Sequence, residues 1–120
     1  MLLNGSRGGV AASLSGYFEP MRTNRLPQPV DPFGGDKRLR AANSPLKVLA
    51  RSTPLARLPR FWVMSGNGAQ VDMVQAQAFV DLVKQYEPAA PFMVVKGGLH
   101  NYVAWRQAFP RMLEWATPLV

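Results

Sequence analysis

The sequence predicts an α/β chain whose core is a parallel sheet of about three strands with flanking helices, and three observations predict it. Short apolar runs at 9–15, 59–65 and 92–95 have the length of buried strands and end at glycine or polar turns. Segments with helical spacing follow the second and third of these runs. Strands that alternate with helices imply parallel pairing, because a parallel neighbour is reached only through a crossover. The third observation is the stretch 16–43, which carries Pro20, Pro27, Pro29, Pro32 and the Gly34-Gly35 pair. It predicts a long irregular loop, the kind of segment that serves as a lid or pocket wall.

Each element has its own local reason. The run 9–15 is made of small and apolar residues and is closed by Gly16. One helical turn is predicted at 36–41. Ser44 followed by Pro45 marks a short helix over 45–52, with serine as N-cap and proline at the first helical position. The strand 59–65 is closed by Gly66-Asn67-Gly68. A helix is predicted over 72–85, with Val74, Ala78 and Leu82 joined by Met73, Phe79, Val83 and Tyr86 on one broad face. Asp72 with Gln75 three residues on has the pattern of a capping box, and Glu87-Pro88 ends this helix. The strand 92–95 leads into a last helix, 101–116, predicted to break or restart at Pro110.

Composition narrows the functional classes. At 120 residues with 48% apolar content, the chain is expected to be a single domain spanning 1–120. No apolar run approaches the roughly 18 residues of a membrane helix. Met1-Leu2-Leu3-Asn4-Gly5 is too short and too soon polar for a signal peptide, so the sequence fixes no localisation. With no cysteine and one histidine, neither a thiolate nor a histidine-rich metal site is expected, and no cofactor is called for. The net charge of +7 raises the question of an anionic partner. The mid-chain arginines alternate with proline and leucine and have no stacking platform beside them. They read as solvated loop residues rather than a specific nucleic-acid site.

The residue that carries chemistry is His100. It follows the strand 92–95 and the Gly97-Gly98 pair, and it precedes an aromatic amphipathic helix. A loop at the carboxyl end of a buried strand is where α/β enzymes place a general base; the competing reading is a histidine that only packs. The sole near match to a nucleophile elbow is Asn4-Gly5-Ser6-Arg7-Gly8. Ser6 is a poor nucleophile candidate there, since Asn4 replaces the first glycine and only five residues precede it. Ser13 and Ser15 are expected to pack or hydrogen-bond at the first strand.

Gly97-Gly-Leu-His-Asn-Tyr-Val-Ala-Trp-Arg106 and Phe109-Pro-Arg-Met-Leu-Glu-Trp115 resemble the end of the putative-esterase family of α/β-hydrolases. That family includes S-formylglutathione hydrolases and mycolyltransferases. The order of 13–20, 42–46 and 61–66 is similar to the same family, although Leu99 separates the glycines from the histidine. The resemblance implies a partial α/β-hydrolase fold: the C-terminal portion of a serine carboxylester hydrolase, carrying the catalytic His100 but lacking the nucleophile. Tyr102 and Trp105 would flank the pocket, or else pack the last helix on the sheet. The acid would be Asp72, which lies farther past its strand than in the family pattern and is equally explained as a helix N-cap. The implied substrate is a small ester or thioester, and many relatives are exported. The alternative is a non-catalytic binding or assembly module on the same half-fold, self-associating through an uncovered sheet edge.

Overall fold

The structure is a computed structural model that describes residues 9–19, 33–52 and 58–120. Strand β1 (Val10–Leu14) is followed by α1 (Lys37–Ala42), α2 (Pro45–Arg51), β2 (Arg60–Gly66), α3 (Gln70–Lys84), β3 (Phe92–Val95) and α4 (Tyr102–Ala116), and then by a 3-10 turn, Thr117–Leu119. The three strands form one sheet in the order β1-β2-β3 with every pair parallel. The predicted sheet, and the helices around it, are therefore present. Of the predicted loop 16–43, residues 20–32 lie outside the described residues; its far end carries α1, capped by Asp36, whose carboxylate accepts from the N–H groups of Arg38 and Leu39.

Central β2 is buried along all but its first residue, which explains why its sequence reads as an unbroken apolar run. Because side chains alternate across a strand, its two sets go to opposite layers. Phe61 and Val63 pack with Leu49 of α2 and with Ala76, Phe79, Val80 and Val83 of α3. Trp62 and Met64 pack on the other side with Val95 and with Ala104 and Ala108 of α4. All three strands run the same way, so Leu14, Gly66 and Val95 end at one edge of the sheet.

Two helices differ from their sequence reading. α3 starts at Gln70 with Ala69 as N-cap and no side-chain cap, so Asp72 is not the cap and makes no capping box with Gln75. Its buried stripe is Asp72, Gln75, Ala76, Phe79, Val80 and Val83, while Val74 is 63% exposed. The apolar periodicity misplaced the face because two of its buried positions are polar. α4 runs unbroken through Pro110. Proline removes one backbone donor there, and burial of Ala104 and Ala108 against the sheet holds the turn before it. α2, by contrast, starts as expected, with Ser44 Oγ accepting from the Lys47 N–H and Pro45 in the first turn.

Candidate functional site

At the carboxyl edge of the sheet, the turns after β2 and β3 are laced together by backbone bonds. The Asn67 N–H donates to Val95 O (3.2 Å) and the Gly68 N–H to Gly98 O (2.9 Å). In return the Gly97 N–H donates to Asn67 Oδ1 at 2.6 Å. The approach is so close that a Cβ on Gly66 would fall on the backbone carbonyl of Gly98. Gly97 itself has φ +68°, in the left-handed region that glycine enters without steric cost.

This lacing brings His100 to Asp72. His100 Nδ1 lies 2.9 Å from Asp72 Oδ2 across 28 positions of sequence. A carboxylate only accepts, so Nδ1 carries the proton of this contact, and in the neutral ring the lone pair then lies on Nε2. Asp72 is 5% exposed, whereas the His100 side chain is 36% exposed. A carboxyl group buried that deeply needs a donor, and His100 supplies it. The carboxylate also sits in the first turn of α3, where the unsatisfied helix N–H groups favour negative charge.

Helix entry fixes the ring from a second direction. Asn101 is the N-cap of α4 and its side chain accepts from the Ala104 N–H at 3.2 Å. His100 therefore precedes the cap and Trp105 is the fourth residue of the helix, the two positions that pack together in a hydrophobic staple. Their rings meet edge-on, with centroids 5.4 Å apart at 78°. Trp105 also packs against the α4 side of the sheet, as the packing expectation for that residue has it. Tyr102 is 68% exposed and makes no ring contact with His100 among the described residues.

The aromatic ring on the face of His100 is one the sequence reading did not single out. Tyr17 stacks on the imidazole with centroids 5.1 Å apart and planes 16° from parallel. Of the other candidates, Ser6 lies outside the described residues. Ser13 Oγ accepts from the Gly16 N–H, and Ser15 Oγ donates to Met64 Sδ. Both are thus tied up locally at the end of β1.

Compared with family models, with curated proteins and with solved structures, the chain matches none.

Among the described residues no group of three His, Asp or Glu side chains is placed to hold a metal ion, and no helix is long and apolar enough to cross a membrane. An open depression of about 450 Å³, lined by Trp62, Pro91, Phe92, Met93 and Arg111, lies by the start of β3. That is the far end of the strand from His100, so it is not part of this site. What the site offers chemically is one imidazole with a buried carboxylate on Nδ1, an aromatic face, an aromatic edge and Nε2 without a partner among the described residues.

Proposed function

We propose that the chain carries the base-and-acid half of a serine-esterase site, with His100 as general base and Asp72 as the carboxylate that orients it. The observation that supports this reading is the 2.9 Å contact between His100 Nδ1 and the buried Asp72 Oδ2. In ester hydrolysis His100 Nε2 takes the proton of an attacking serine hydroxyl as its oxygen bonds to the ester carbonyl. The imidazolium so formed, stabilised by Asp72, returns that proton to the leaving alkoxide, and water then releases the acyl group by the same two transfers. The substrate class is a small carboxylic ester or thioester, and the described residues do not include the nucleophile.

A test need not wait for the serine. An accessible imidazole attacks an activated aryl ester directly through Nε2: the acyl–oxygen bond breaks, the aryl oxide leaves, and water cleaves the resulting acyl-imidazole to the acid and the free ring. The chain is expected to cleave p-nitrophenyl acetate, and His100→Ala to abolish that rate. Asp72→Asn should lower it by about tenfold or more, the worth of a hydrogen bond to a charged partner. Equal rates in all three proteins would overturn the proposal. Labelling with a fluorophosphonate and peptide mapping then locates the serine: a label on Ser6 that depends on His100 would make the chain a self-contained hydrolase.

A second reading, an assembly module on the same half-fold, is favoured by exposed Val103, Phe109 and Leu113 on α4. It is distinguished by the association state of the chain rather than by ester cleavage.

A further inference from the structure

Tyr17 is more than half exposed, at 56%, yet its ring is not free to wander. The next residue, Phe18, is fixed on every side. Its N–H donates to Gln75 Oε1 (3.0 Å), and so does the Glu19 N–H (2.8 Å). Its carbonyl accepts from the Leu46 N–H (2.8 Å) and from Ser44 Oγ (3.0 Å). Its ring is buried and stacks on Phe79 with centroids 4.3 Å apart.

Upstream, Ser15 sits at φ +56°, a conformation that few residues other than glycine adopt. Its N–H is held by Met64 O at 2.9 Å and the Gly16 N–H by Ser13 Oγ at 3.1 Å. The backbone on both sides of Tyr17 is thus anchored, and a strained turn throws the chain off β1 toward His100. Strain of this kind persists only where its surroundings enforce it.

Gln75 and Asp72 are one turn apart on the same buried stripe of α3. A single helix face therefore holds the imidazole through Asp72 and the backbone that presents Tyr17 through Gln75. Two polar residues on a stripe that otherwise faces the core are an expensive choice unless both are satisfied. Here Asp72 is satisfied by His100 itself, and the Gln75 carbonyl by the backbone that follows the ring stacked on His100.

We infer that Tyr17 is a positioning residue for His100: its stacked ring holds the imidazole in the plane where Nδ1 meets Asp72 and Nε2 faces outward. The inference rests on the proposed pairing of His100 with Asp72 as a working base and acid. Swinging the imidazole away from Asp72 requires breaking the stack, so the stack contributes directly to the balance between closed and open rings.

The experiment is proton NMR of the full chain, in which the one histidine makes the imidazole signals unambiguous. The quantity read is the rate at which the His100 Nδ1 proton exchanges with water, with Asp72→Ala, which leaves no acceptor, as the reference for a broken contact. Wild type and Tyr17→Phe are expected to exchange slowly. Tyr17→Leu, which keeps apolar bulk without a ring, and Tyr17→Ala should exchange roughly two- to tenfold faster, the range an aromatic pair accounts for. Recovery in Tyr17→Phe but not in Tyr17→Leu separates ring stacking from mere covering of the site. Slow exchange in all Tyr17 variants, with loss only in Asp72→Ala, would overturn the role of Tyr17 and leave the pair intact. Wild-type exchange as fast as in Asp72→Ala would overturn the pairing, and the role of Tyr17 with it.

Discussion

At the scale of single residues the structure separates buried polar groups that have partners from those that do not. Asp72 and Gln75 are satisfied, and each satisfaction places a group at the site. The Tyr86 hydroxyl is buried without a partner among the described residues. Its pKa is driven above the ordinary 10, first by burial and then by the negative charge of Glu87. The sign of the consequence follows directly. Above pH 10 the unfolded chain loses the tyrosine proton while the folded chain keeps it, so Tyr86 makes stability fall as pH rises through that range. Tyr86→Phe should remove this alkaline slope. At pH 7 it should leave stability unchanged or higher by up to about 1 kcal/mol, because it deletes an unsatisfied hydroxyl. Urea melts at pH 7 and pH 10.5 measure both effects; a variant clearly less stable at pH 7 would show that the hydroxyl has a partner after all.

At the scale of elements, the pairing of His100 with Asp72 depends on the turn after β2 fitting against the turn after β3. Gly66 is where they touch, and a methyl group there meets backbone rather than a side chain that could move aside. Gly66→Ala is therefore expected to destabilise the chain by about 1–3 kcal/mol, the cost of overpacking. It should also part His100 from Asp72 and speed Nδ1 exchange, even though Gly66 contacts neither side chain through a hydrogen bond. Unchanged exchange would show that the two turns are independent. The elements themselves were largely legible, since β2 and β3 are apolar runs and Ser44-Pro45 announces α2. Half of the site was legible too: His100 stands out as a lone histidine between a strand and a helix. Asp72 was ambiguous because an acid near a helix start reads equally well as a cap, and only the placement of Ala69 at that position removes the capping reading. Tyr17 was hidden because its contact with His100 spans most of the chain and follows no local period. The readable trace was polar Asp72 and Gln75 at helical spacing with Ala76, Phe79, Val80 and Val83, a buried stripe that propensity alone would have filled with apolar residues.

For the whole molecule, the open question is what the outer edges of the sheet do. β1 and β3 are its edge strands among the described residues, and Val94 on β3 is exposed. α4 adds Val103, Phe109 and Leu113 to the exposed apolar surface. Unpaired strand edges with apolar neighbours favour association, whereas a net charge of +7 opposes it between identical chains. The two forces respond oppositely to salt. Screening weakens the mutual repulsion of like-charged copies and leaves apolar burial in place, so self-association should strengthen from 0.05 M to 0.5 M sodium chloride. An anionic partner held by the arginines would behave in the reverse way, losing affinity steeply over the same range as counterions compete. Sedimentation equilibrium across a hundredfold range of protein concentration is expected to show a mass that rises with concentration, and more so at high salt. A monomer under every condition would mean that the exposed α4 residues and strand edges are tolerated as they stand. The assembly reading would then lose its physical basis, while the esterase reading, which rests on the contact of His100 with Asp72, would be untouched.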